Sequence, residues 1–148
     1  MVTAIELRRR GIDCRIVERR SDHGHTSRAI TIHARTMEVL DDMGLAPRFL
    51  QGGLLNEGYI FNFRESDLKP RLDYTRLDTR YPFVCMFNQN ETEKILRDHL
   101  EASLGLPIEW NTELTGISES ALGQLVVSLK CEAGGSLTEE ICHPKWVV

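Results

Sequence analysis

The chain is short of several things, and each shortage excludes a class of protein. No apolar run approaches the roughly 18 residues that span a bilayer, so no membrane partner is expected. There is no excess of base. Eighteen Lys+Arg against 22 Asp+Glu give a formal net charge of −4, whereas a dedicated nucleic-acid binder carries a basic excess or stripe. The runs Arg8-Arg9-Arg10 and Arg19-Arg20 are local and are followed by acids. The four cysteines, Cys14, Cys85, Cys131 and Cys142, form no C-x-x-C pair, and Cys142-His143 lacks the second half of a zinc site. They read as small thiols in a reducing, cytoplasmic protein without a metal. An apolar h-region is also missing near the start, where Glu6 and Arg8 stand, so no secretory signal is expected. There is no internal repeat and no low-complexity segment.

What is present is the balance of a globular chain. Of 148 residues, 41% are hydrophobic and 27% charged, which suits one domain of ordinary size with a sizeable core. Residues 2–10 read as a helix that stops at Gly11, with basic residues in its last turn. It has no residue before Met1 to cap it. At the other end, Lys145-Trp146-Val147-Val148 reads as a strand that runs off the terminus, so the chain is expected to be a fragment.

Between these ends, residues 14–18 read as a short strand ending in an acid, and residues 19–31 as a polar loop. A helix is expected over 33–43, with Met37, Leu40 and Met43 on one face, ended by Gly44, Leu45 and Pro47. Residues 54–84 carry β patterning: Tyr59, Phe61 and Phe63 alternate with Ile60, Asn62 and Arg64, and Pro82 precedes a further apolar run, 83–87. The best-defined helix spans 90–104, with Asn90 and Glu93 as an N-cap-x-x-Glu box and Leu96, Leu100 and Leu104 as its buried stripe. Three strand-like pieces follow, 108–117, 125–131 and 140–148, with turns at Gly123 and Gly134-Gly135. A helix followed by a strand suggests the second half of a βαβ unit, and the class is α/β.

Glu18 is the residue with chemistry to offer. An acid at the C-terminal tip of the second strand of a βαβ unit meets a ribose, because its two oxygens accept from vicinal hydroxyls. Solvation alone also explains an acid there, and the glycine-rich turn expected about 20 residues upstream is not in the sequence.

The combination of segments is more telling. Glu18-Arg19-Arg20, Ser27-Arg28-Ala29, the run from Arg35 through Thr36, Met37, Glu38 and Val39 to Leu40, and Met43-Gly44-Leu45 together resemble the FAD-dependent aromatic hydroxylases. These are flavoprotein monooxygenases related to para-hydroxybenzoate hydroxylase, especially those acting on phenols and aromatic polyketides. The segment from Asn88 and Gln89 to Glu93 and Leu96 resembles the family's Gln-x-x-x-Glu-x-x-Leu helix start. The resemblance implies a partial Rossmann-like FAD-binding domain with a β-meander and a β excursion toward a substrate domain. It divides the chain into 1–53 (FAD-binding domain, first part), 54–84 (the excursion) and 85–148 (FAD-binding domain, helix and meander).

The resemblance also implies roles. Glu18 would bind the ribose hydroxyls of the FAD adenosine, and Arg19 would lie along the adenine side. Arg28 would reach the cofactor near the pyrophosphate and flavin, and Gln89 would hydrogen-bond its ribityl or phosphate part. Arg35 reads as a structural partner of the loop, His33 as a packed or solvated residue at a helix start, and His23-x-His25 as a polar loop. NAD(P)H would be the reductant, with O2 and a small aromatic molecule as substrates. The family's Gly-x-Gly-x-x-Gly and Asp-Gly motifs are absent, so the remainder of its own chain is the expected partner and the isolated chain is expected to be inactive.

Other readings remain open at this level. A methyltransferase-like fold also places an acid at its second strand, but leaves the Ser27-Arg28-Ala29 loop and the β excursion unexplained. An NAD-dependent dehydrogenase would need the missing glycine loop. A non-catalytic remnant or partner-binding module would present an exposed edge where a first strand should pair.

Overall fold

The computed structural model describes residues 1–23, 29–64 and 67–148, the Ala133 side chain excepted. In chain order the elements are α1 (Val2–Arg9), β1 (Thr31–Ile32), α2 (Ala34–Asp42), α3 (Ala46–Gly52), β2 (Leu54–Asn56), β3 (Gly58–Ile60) and β4 (Arg71–Asp73). Then come β5 (Val84–Met86), α4 (Gln89–Asp98), a π-helical turn (His99–Ser103), β6 (Thr112–Glu119), β7 (Leu125–Ala133) and β8 (Ser136–Cys142). They fall into two compact units, Met1–Gly24 with His99–Val148, and His25–Asp98. Among the described residues no helix is long and apolar enough to cross a membrane.

In the first unit, α1 ends as its sequence dictates. Gly11 takes φ +71°, the Gly11 N–H donates to Arg8 O and the Ile12 N–H to Leu7 O, both at 3.0 Å. That is the double bond of a Schellman stop, which needs a residue able to turn left-handed. The meander β6-β7-β8 is antiparallel throughout, with Leu114 opposite Leu129 and Leu129 opposite Glu140. Val127 and Leu129 on β7 are buried while Ser128 between them and Lys130 after them are not, the period of two expected of a half-buried strand. Gly134 and Gly135, at φ +59° and +81°, form the two-residue turn between β7 and β8. Ile5, Leu100, Leu106 and Ile108 are buried with them.

The strand expected over 14–18 is reduced to one parallel bridge, Val17 with Glu109. Glu18 N–H donates to Glu109 O and Glu109 N–H to Ile16 O. Among the described residues the other edge of this segment carries no backbone bonds, so its pairing is one-sided and too short for a ladder. The strand expected to start at 108 begins instead at Thr112, because residues 108–110 are spent on that parallel contact. The terminal strand is also corrected. β8 ends at Cys142, no strand lies beside 143–148 among the described residues, and Trp146 is exposed.

In the second unit, one sheet has the order β1-β5-β2, antiparallel, and β3 pairs with β4 in a separate two-stranded ribbon. α2 buries Met37, Leu40 and Met43 as its spacing requires. It ends at Gly44 (φ +75°), with Gly44 N–H on Asp41 O and Leu45 N–H on Leu40 O, both at 2.8 Å. Pro47 was expected to close this helix but opens the next one. It sits in the first turn of α3, where a residue without an N–H loses nothing. Phe49 on α3 is fully buried and packs on Phe87 with centroids 5.0 Å apart. The β patterning of 54–84 yields only three-residue strands, leaving Leu54, Ile60, Phe61, Phe63, Leu68 and Leu72 exposed.

The cap of α4 differs by two residues from the expected one. Asn88 holds it: its Oδ1 accepts the Asn90 N–H at 2.8 Å, and its carbonyl accepts the Thr92 N–H at 2.9 Å. The single helix expected over 90–104 gives way after Asp98 to the wider π turn, closed by Leu104 N–H on His99 O and followed by Gly105 at φ +61°.

Candidate functional site

Glu18 lies in the first unit at the end of the parallel-bridged segment, and three sets of contacts hold it there. Its N–H donates to Glu109 O and its carbonyl accepts from Thr112 N–H, both at 3.0 Å. Two residues on, the Arg20 carbonyl accepts from Asn111 N–H at 3.0 Å. Asn111 adopts φ +54°, a left-handed turn that asparagine takes more readily than most residues. Arg15 fastens the same segment by its side chain. Its Nε and one terminal nitrogen grip Glu109 at 2.8 and 2.7 Å, and its terminal nitrogens reach Glu140 on β8 at 2.6 and 2.9 Å. The two carboxylates raise the Arg15 pKa further, and Arg15 in turn holds Glu140 below the usual carboxylate range.

The Glu18 carboxylate is half-exposed and already engaged. Oε1 accepts the Arg20 backbone N–H at 3.0 Å and its Nε–H at 3.2 Å, while Oε2 accepts a terminal guanidinium N–H at 3.2 Å. The Arg20 side chain, then its backbone N–H, lowers the Glu18 pKa, so the group is an anion at neutral pH. A carboxylate offers about four lone-pair sites. Among the described residues three are used, which leaves one on Oε2 for a hydroxyl. A second hydroxyl requires the guanidinium to move, which an exposed ion pair worth at most about 1 kcal/mol permits. Sequence reasoning passed over Arg20, since nothing in an Arg-Arg run says which of the two will turn back on the acid.

Arg19 is exposed beside Glu18 and adds a weaker charge that favours the anion. Gln89 belongs to the second unit, as the half-buried first residue of α4. Its Nε2 donates to Glu93 Oε1 at 2.8 Å. Arg28, Ser27 and His25 lie outside the described residues, so the structure brings together Glu18, Arg19 and Arg20 and describes Gln89 by itself. Glu93, expected as part of a capping box with Asn90, accepts instead from the Gln89 side chain.

Arg35 is exposed and pairs with Glu38 at 2.8 Å, and Glu38 also accepts the Thr79 hydroxyl at 2.6 Å. A neighbouring pair, Arg80 with Asp41 at 2.8 Å, fastens the same loop to α2, and the Arg80 guanidinium lies over the Tyr81 ring. Burial, with the Asp41 carboxylate, pushes the Tyr81 hydroxyl up in pKa, so it stays protonated. Cys85 is fully buried, which raises its thiol pKa and makes it inert. Among the described residues no cluster of three His, Cys, Asp or Glu is placed to hold a metal.

Residues 1–148 match the family model described as an FAD binding domain. The chain is 38% identical over its whole length to pentachlorophenol 4-monooxygenase of Sphingobium chlorophenolicum, of which it covers 27%. It is 39% identical over 115 residues, 77% of the chain, to 6-methylpretetramide 4-monooxygenase of Streptomyces rimosus, covering 20% of that enzyme. Its fold superimposes on the crystal structure of a p-nitrophenol 4-monooxygenase from Pseudomonas putida with a TM-score of 0.84 at 22% identity, over 98% of this chain and 36% of that one. The chain thus spans about a quarter of the length of the curated relatives it matches.

Proposed function

The chain belongs to the FAD-binding-domain family, and from that premise we propose that it is the part of an FAD-dependent aromatic hydroxylase that grips the adenosine end of the cofactor. The observation that carries this reading is Glu18: an anionic carboxylate at the end of a parallel-paired segment, with a lone pair available and a displaceable neighbour on the others. That donor set fits the vicinal hydroxyls of a ribose. Glu18 binds those hydroxyls, and Arg19 lies along the adenine side. Arg28 meets the anionic oxygens near the pyrophosphate and flavin, and Gln89 hydrogen-bonds the ribityl or phosphate part. Residues 1–53 and 85–148 belong to the cofactor domain, and 54–84 reach toward a substrate domain.

When bound and reduced by NAD(P)H, the flavin supplies the redox chemistry by which O2 hydroxylates an aromatic or phenolic ring. This chain's residues bind and orient the cofactor. The 38% identity to a pentachlorophenol 4-monooxygenase and the 39% identity to a 6-methylpretetramide 4-monooxygenase support a phenolic ring as the substrate class. The protein is cytoplasmic on this reading, in keeping with its four free cysteines.

The test is an FAD titration, followed by flavin fluorescence, of the full-length protein that carries this chain. Wild type should bind, and Glu18→Ala should weaken binding roughly ten- to a hundredfold, the worth of a hydrogen bond to a charged group. The same preparation should consume NAD(P)H faster when a phenol is added. Wild type that does not bind FAD, or a Glu18→Ala protein of unchanged affinity, overturns the assignment.

A further inference from the structure

We propose that Glu93 is a positioning residue that fixes the Gln89 amide for its contact with the cofactor. The inference rests on the reading of this chain as an FAD-binding domain and extends it to a residue for which sequence reasoning offered no role beyond a helix start.

Three observations point the same way. Gln89 Nε2 donates to Glu93 Oε1 at 2.8 Å, and both side chains are half-buried. The two residues are four apart, so they share one face of α4. The capping that Glu93 was placed to perform is done elsewhere: Asn88 takes the Asn90 N–H on its side chain and the Thr92 N–H and hydroxyl on its carbonyl. Glu93 is therefore not needed to start the helix, and its carboxylate accepts from Gln89 instead.

The chemistry of the pair makes the contact directional. A glutamine has three rotatable χ angles and an amide whose two ends differ in kind, one donating and one accepting. A carboxylate accepts only, so Glu93 selects the nitrogen end and turns the oxygen end the other way. A ligand that meets Gln89 then finds an oriented amide in place of a rotating group with either polarity. Ordering the side chain before binding removes an entropic cost from the binding step.

The experiment uses the full-length apoprotein and four variants, Glu93→Met, Glu93→Gln, Gln89→Met and Gln89→Met with Glu93→Met. FAD affinity is read by fluorescence titration and folding by thermal melting. Methionine keeps side-chain length and helix propensity, so Glu93→Met removes the acceptor without breaking α4. The expected result is an affinity about three- to tenfold weaker for Glu93→Met, near wild type for Glu93→Gln, whose amide oxygen still accepts, and no further loss when Glu93→Met is added to Gln89→Met. A merely structural role predicts the opposite, an equal loss in both backgrounds, and that result overturns the proposal. So does an unchanged affinity for Glu93→Met beside a weakened Gln89→Met. If neither single change moves the affinity of a protein that binds FAD, Gln89 is not a cofactor contact and this proposal falls with it. Wild type that fails to bind FAD sinks the underlying reading instead.

Discussion

Two β regions of this chain carry similar apolar content and end differently. The meander β6-β7-β8 has strands of 8, 9 and 7 residues, each paired along most of its length. The segment 54–84 yields β2, β3 and β4 of three residues each, with Ile60 and Phe63 both 58% exposed. Patterning alone does not separate them. What separates them is closure: the meander has Gly123 and Gly134-Gly135 placed to return the chain on itself, and a face of Val127 and Leu129 that is buried. The other segment alternates, but among the described residues its β3-β4 ribbon pairs with no third strand. A two-stranded ribbon such as β3-β4 is marginal alone, and its apolar residues Ile60 and Leu72 are exposed.

The second unit keeps its order through helices rather than strands, and the largest effect should come from there. Phe49→Ala removes a fully buried ring packed on Phe87 and should cost about 3–5 kcal/mol in urea unfolding. If it costs less than half of that, the unit is not organised around α3 and the contrast with the meander fails. Next is the meander's own closure. Gly135 sits at φ +81°, so Gly135→Ala should cost about 1–2 kcal/mol although nothing lies within 4 Å of the added methyl. Hydrogen exchange should then show β8 amides losing protection before those of β6.

A smaller effect tests how the Glu18 segment is fastened to the meander within the first unit. Arg15→Met unpairs Glu109 and Glu140 and should lower the melting temperature at pH 7 by less than Gly135→Ala does. The sign with pH is fixed. Arg15 depresses the Glu140 pKa, so the stabilisation is complete above the unfolded carboxylate value and is lost as pH falls through the depressed folded value. Wild type and Arg15→Met should converge in stability on the acid side. A gap that persists there would mean Arg15 acts by packing its stem rather than by charge.

What was legible in the sequence was what glycine and spacing dictate. The stops at Gly11, Gly44 and Gly105 each need a left-handed residue, and the stripe Met37, Leu40, Met43 each falls on the buried side. What was hidden depends on partners distant in sequence or on a choice between equivalent neighbours. Pro47 looks the same closing α2 as opening α3. Asn88 and Asn90 are both good caps, and only the observed turn decides between them. The run 14–18 has the composition of a strand, yet among the described residues only one of its edges is paired. At the site, Glu18 and Gln89 could be singled out by type and resemblance. Arg20 could not, and Glu93 stood out only as a cap and a motif position, because the partner each side chain takes depends on a rotamer that spacing does not fix.

The smallest global effect should also be the sharpest test of the opening contrast. Gly58 begins β3 opposite Asp73, and an added Cβ would meet the Leu72 carbonyl oxygen at 2.3 Å. Backbone cannot give way there as a side-chain tip would, so Gly58→Ala must part β3 from β4. If the ribbon adds little to stability by itself, the melting temperature should hold within a degree or two while the amides of Tyr59 and Leu72 exchange faster. The Tyr59–Tyr74 edge contact, with centroids 6.0 Å apart, should loosen with them. In the full-length protein the same change should matter more, since the parted ribbon is the surface proposed to join the rest of the fold. A large loss already in the isolated chain would mean that the ribbon is part of the unit's own core and that its exposed apolar residues await no other layer.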